Sequence, residues 1–118
     1  MGSSLPPSIP TTRVGDDERQ RLFNDVERIL ERVASGELYV VELETLTEIT
    51  SPEEPPGTFG KMLSYRDPAN NDFEVCRAHA YIRPDGTFGG SGRQLPDPKI
   101  IYHNGVLYLQ LRTRRQIT

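Results

Sequence analysis

At 118 residues, the chain is long enough for one small domain with a modest core. Its single cysteine, Cys76, excludes a disulfide framework and any multi-cysteine metal site. The net charge of −3 and sequence pI of 5.4 count against a general nucleic-acid binder. No apolar run approaches the roughly 20 residues of a membrane-spanning helix. The N-terminus lacks the basic stretch and apolar run of a secretory signal. Together these features point to a reducing cytoplasm.

The charge is unevenly spread. Residues 1–60 carry five Lys and Arg against twelve Asp and Glu; residues 61–118 carry nine against five. Such asymmetry gives either two faces of opposite sign, with the option of self-association, or an unevenly solvated surface.

In chain order, residues 1–14 read as a disordered or extended arm, because Pro6, Pro7 and Pro10 forbid a helix there. Residues 16–34 predict an amphipathic helix. Asp16 or Asp17 can cap it, and an acidic first turn suits the positive end of the helix dipole. Leu22, Val26, Ile29, Leu30 and Val33, with Phe23 alongside, make an apolar stripe, and Gly36 is a stop. Residues 37–49 alternate with the β-branched and aromatic content of a strand; a continuation of the helix is the alternative. Residues 50–60 form a proline-rich acidic loop, and 61–66 a short strand.

The Asp67-to-Asp72 segment predicts a turn, and residues 73–83 a long strand. On that strand Phe73, Val75, Arg77, His79, Tyr81 and Arg83 share one face. Glu74, Cys76, Ala78, Ala80 and Ile82 share the other, smaller face, which is expected to pack on the helix. Residues 84–87 are a turn. Residues 99–103 and 106–112 form a hairpin around Asn104-Gly105, the sharpest short turn signal in the chain. The tetrapeptide Gly57-Thr58-Phe59-Gly60 recurs as Gly86-Thr87-Phe88-Gly89; shared turn chemistry explains so short an echo.

Three groups of residues carry possible chemistry. The glycine-rich loop 86–92, with Thr87, Ser91, Arg93 and Lys99, has the amides, hydroxyls and cations of an anion site. It lacks the spacing of a P-loop or dinucleotide fingerprint, and a wide β-turn has the same composition. The stripe Arg77, His79, Tyr81, Arg83 suits nucleic-acid contact on an open sheet. With His103 it also has the parts of a metal-independent ribonuclease. A solvated strand face looks the same. The last hairpin is apolar on both sides: Val106 and Tyr108 take one face, and Leu107, Leu109 and Leu111 the other. One helix is not enough to cover both, so this hairpin is the expected interface for a second chain, unless the arm or the 50–60 loop covers it.

No catalytic residue, metal ligand or cofactor is assigned. His79 and His103 lack a carboxylate pattern at metal spacing, and Cys76 reads as a small core hydrophobe.

The segment from His79 to Gly92, followed by Asp97-Pro98-Lys99 and by Asn104-Gly105-Val106-Leu107-Tyr108, resembles a pattern in small uncharacterised bacterial and phage-type proteins. That resemblance implies a prokaryotic cytoplasmic origin and no catalytic residue. The expected fold is α+β: one N-terminal amphipathic helix packed on an antiparallel sheet of four or five strands, as a single domain from residue 15 to 118. The expected function is a non-catalytic interaction or accessory protein that binds itself or another protein through its sheet, without a membrane. The alternative is a nucleic-acid-binding or RNA-cleaving module.

Overall fold

The computed structural model describes residues 9–50, 52–89 and 96–111. It is α+β, with a helical layer on a mostly antiparallel sheet. The first described element is strand β1 (Thr11–Val14), which passes through Gly15 into α1 (Asp16–Arg21), a π turn (Leu22–Val26) and α2 (Ile29–Ala34). Strands β2 (Tyr39–Glu48), β3 (Phe59–Asp67), β4 (Phe73–Ile82), β5 (Phe88–Gly89), β6 (Asp97–His103) and β7 (Val106–Gln110) follow. Their order across the sheet is β1-β7-β6-β4-β3-β2, with β5 beside the end of β4.

Two expectations need correction. Among the described residues the sheet has seven strands rather than four or five, and the helix is not the first element. Thr11–Val14, at the end of the segment read as an arm, forms β1 and runs parallel to β7, from Thr11 opposite Leu107 to Val14 opposite Gln110. Thr11, Thr12 and Val14 are β-branched and favour a pleated backbone. Pro10 has no N–H to donate, but its carbonyl accepts from the Leu107 amide at 2.9 Å, a role open to proline at a sheet edge.

The helical layer is also less regular than its apolar stripe suggests. The Glu27 amide reaches the Leu22 carbonyl at 2.8 Å, closing a wide turn. Arg28 then takes a left-handed conformation (φ 50°, ψ 52°) before α2 starts. The extra residue and the break re-phase the stripe. Leu22, Phe23 and Ile29 become fully buried, while Val26, Leu30 and Val33 pack at the rim of the core. Gly36, with φ of 86°, ends the helix as expected; its amide bonds the Val33 carbonyl at 3.1 Å.

The core lies between this layer and the sheet. Phe23 meets Tyr65 edge to face at 5.7 Å. Cys76, Ala78 and Ala80 of β4 are buried with Leu63 of β3 and Ile101 of β6. Their small side chains let the helix approach closely, so this face of β4 is as expected. Val75 is not. The β3–β4 register shifts between Tyr65 and Arg66, and this bulge turns Val75 into the core. Glu74 crosses to the other face, where it bonds Ser64 and Arg77.

The turns follow their local chemistry. Asp67 Oδ1 accepts from the Ala69 amide at 3.0 Å. Asn71 and Asp72 both take positive φ, as do Asn104 and Gly105, the pairing that a tight two-residue hairpin requires.

Candidate functional site

The face of β4 away from the helix carries Arg77, His79 and Tyr81 in alternation. The His79 and Tyr81 rings meet edge to face at 5.1 Å. Both lean over Gly60 of β3. A Cβ there would fall 3.1 Å from His79 Nε2 and 3.7 Å from the Tyr81 ring. Asp97 lies opposite His79 on β6 and holds Lys99 at 2.8 Å. Burial pulls the His79 imidazole below its ordinary range, Lys99 pulls it further, and Asp97 partly opposes this. The neutral ring is therefore favoured.

The recurring tetrapeptide has a structural meaning that turn chemistry alone does not convey. Phe59 and Phe88 flank Ile82 from the two sides, and Gly60 and Gly89 flank Tyr81. Gly57 and Gly86 both adopt positive φ, 92° and 88°. The two copies thus brace the same end of β4. Neither neighbour of Tyr81 has a side chain. In the space left by Gly89 sits the carboxylate of Glu54, which pairs with Arg83 at 2.8 Å and is nearly excluded from solvent.

Three cations near this face, Arg77, Arg83 and Lys99, are engaged by carboxylates. Arg77 forms a fork to Glu74, with Nε and Nη2 donating at 3.0 and 2.9 Å. Arg83 is on Glu54, and Lys99 on Asp97. A phosphate would have to displace each of these partners. Thr87 is likewise occupied: its amide and hydroxyl both donate to Asp85 Oδ1, at 3.0 and 2.7 Å. These bonds hold the Asp85 carboxyl below its usual range. Ser91 and Arg93 lie outside the described residues.

The structure does not bring the two histidines together. His103 belongs to the helix side, where its Nδ1 lies 2.6 Å from Glu27 Oε2. Glu27 also accepts from Arg32 Nη1 at 2.7 Å, and Arg32 Nε donates to Glu37 at 3.0 Å. This chain borders an open depression of about 490 Å³ lined by Glu27, Arg28, Arg32, Ser35 and Glu37 among others. Sequence reasoning missed it, because 76 positions separate Glu27 from His103. A carboxylate that orients an imidazole is half of a general-base arrangement. The hydroxyl lining the depression, that of Ser35, donates to the Arg32 carbonyl at 3.1 Å. Cys76 is fully buried, and burial raises its thiol pKa, so it holds its proton. Among the described residues, no group of three or more His, Cys, Asp or Glu side chains is placed to hold a metal ion.

The hairpin residues divide as their alternation predicts. Tyr108 faces the helix and packs against the core, 6.3 Å from the His103 ring. Val106 pairs with His103 on that same side. Leu107 and Leu109 face away, opposite Tyr102 and Ile100, and are half-buried; Leu111 is exposed. The backbone edge of β7 is taken by β1 of the same chain. Among the described residues the sheet therefore ends on β1 at this side and, at the other, on β2, whose only described partner strand is β3. There Tyr39, Val40, Leu43 and Leu46 are exposed large apolar side chains.

Among the described residues, no helix is long and apolar enough to cross a membrane. No protein-family model matches the sequence, no curated protein matches it, and no solved structure matches the fold.

Proposed function

We propose that this protein is a non-catalytic interaction module that associates with another copy of itself through its sheet. The observation that carries the reading is the one-sided helical layer. It covers Cys76, Ala78, Ala80 and Ile101, whereas Ile100, Leu107 and Leu109 lie on the face it does not cover. Leu111 extends that apolar strip to the end of the described chain. A strip of this kind, beside Tyr102, has the composition of a protein interface. The nucleic-acid reading loses support from the carboxylate partners of Arg77, Arg83 and Lys99. The ribonuclease reading loses support from the separation of His79 and His103 on opposite faces.

Sedimentation velocity over a concentration series tests the proposal. Association that strengthens with concentration and is lost in Leu109→Glu is the expected result. A protein that stays monomeric at its highest soluble concentration would overturn it. A labelled RNA pool that shifts at low salt, and fails to shift with Arg77→Ala and Arg83→Ala, would replace it with the nucleic-acid reading.

A further inference from the structure

The sheet face turned away from the helices can be read level by level across its strands. One level runs through Arg13, Leu109, Ile100, Arg77, Ser64 and Val41. The next holds Asp97, His79, Met62 and Glu44. The middle of this face is apolar or already neutral. Ile100 and Leu109 pair there, and the nearby cations Arg77 and Lys99 are balanced by Glu74 and Asp97.

The two borders differ. On β1, Arg13 is exposed, donates to the backbone carbonyl of Gln110 at 2.8 Å and has no carboxylate partner among the described residues. On β2, Glu44 is exposed and has no hydrogen bond or ion pair among the described residues. Its neighbours on that strand are taken: Glu42 by Lys61 at 2.7 Å, and Glu48 by the Gly57 amide at 2.8 Å. One base and one acid thus stand unmatched at opposite borders of one face. β1 and β2 are the first and last strands of the sheet order, about 24 Å apart at strand spacing, so the two charges cannot meet within one molecule.

A second copy can match them, and symmetry fixes how. In a two-fold contact, any pair formed in one direction is formed again in the other. With the axis along the strands, between two stacked faces, β1 of each copy lies over β2 of the other, β7 over β3 and β6 over β4. Arg13 then approaches Glu44 of the partner at both borders. Stacked sheets lie about 10 Å apart, and Arg13 is offset from Glu44 by about 7 Å along the strand, a gap that the two long side chains bridge from opposite sides. The same arrangement sets Leu109 beside the partner's Met62 and encloses Ile100. With the axis across the strands, β1 lies over β1 and β2 over β2. Like charges then gather at each border and neither finds a counter-ion.

We propose that this face is a two-fold interface between two copies of the chain, with β1 of each over β2 of the other and Arg13 paired with Glu44 at both borders. The proposal rests on the self-association reading. It gives that contact an orientation, a pair of charged residues and an end point, a closed dimer.

Charge reversal tests it. Arg13→Glu or Glu44→Lys alone sets like charges together at both borders and should weaken the dimer at least about tenfold. Both changes in one chain should restore it. Mixing the two single variants in equal amounts should also restore it: the acid introduced at position 13 meets the base introduced at position 44, and the native pair is kept at the other border. Sedimentation equilibrium should show monomer and dimer and nothing larger. If Leu109→Glu abolishes association but neither charge reversal weakens it, the sheet-face reading stands and this orientation is wrong. The orientation is also overturned if the single variants weaken association and neither the double variant nor the mixture restores it, or if the parent grows beyond a dimer. A parent protein that never associates removes both readings.

Discussion

Arg19 Nε donates to the carbonyl of Pro98 at 2.7 Å, tying the first helical turn to the middle of the sheet. The same guanidinium donates from Nη1 to the Val14 carbonyl at 2.6 Å and pairs through Nη2 with Asp16. Arg19 is 2% exposed, the largest fully buried side chain among the described residues. It therefore joins β1, α1 and β6 at one point. Arg19→Met should lower stability by about 2–4 kcal/mol, because the buried bond to the Pro98 carbonyl and the part-buried bond to the Val14 carbonyl are lost and Asp16 loses its partner. Arg19→Lys should recover little, since an ammonium cannot span the planar fork. Chemical denaturation with a two-state fit measures both.

Gly89 is constrained by space, not by backbone angle. A Cβ there would lie 2.7 Å from Glu54 Oε1. Gly89→Ala should push the carboxylate off Arg83 and cost about 1–3 kcal/mol. Gly86→Ala provides the contrast: its Cβ meets nothing within 4 Å, but its φ of 88° strains any side chain, and a loss of about 1 kcal/mol is expected. A double-mutant cycle of Gly89→Ala with Glu54→Gln should show coupling, whereas Gly86→Ala with Glu54→Gln should be additive.

The Tyr65 hydroxyl is buried and has no hydrogen-bond partner among the described residues. Burial raises its pKa, so it stays protonated. Its ring is what the core uses, edge-on to Phe23. Tyr65→Phe keeps the ring and removes the orphan group, so stability should hold or rise by about 1 kcal/mol. A loss above that in thermal unfolding would show that the hydroxyl is satisfied in solution.

His79 supplies a pH dependence with a defined sign. Its folded pKa lies below the ordinary 6.5 because burial and Lys99 disfavour the imidazolium. Between the two values the unfolded chain binds more protons, so stability rises with pH there. The melting temperature should thus fall as pH drops from about 6.5 towards the folded pKa. His79→Gln should flatten this part of the curve. Proton NMR of the His79 ring should give a midpoint below 6.5 in the folded protein; a midpoint above it would refute the assignment.

Much of the C-terminal half was legible because its signals are local. Asn104-Gly105 gives its hairpin, and the segment from Asp67 gives its turn, because those residues tolerate the backbone angles found there. Cys76, Ala78 and Ala80 were assigned to the core by alternation alone. Val75 was not, since alternation fails at a bulge and nothing in residues 73–83 signals the bulge. Strand β1 was missed as a strand because its partner lies 96 positions away, at Thr11 and Leu107. The His103–Glu27 contact was invisible for the same reason. The tetrapeptide echo was visible but too short to interpret until both copies were seen beside β4. For the stripe Arg77, His79, Tyr81, Arg83, the sequence supplied the face but not the carboxylates that engage its cations.

The parallel pairing of β1 with β7 sets an order of events on the ribosome. Strand β1 has no place in the sheet until β7 has emerged, and Arg19 cannot close on Pro98 until β6 exists. The β2-β3-β4 meander can form from neighbouring segments, but the N-terminal strand and α1 must wait. Folding should therefore be slow for the chain's size, as high contact order demands. Nascent chains stalled before residue 106 should leave β1 open to protease, and completion of β7 should protect it.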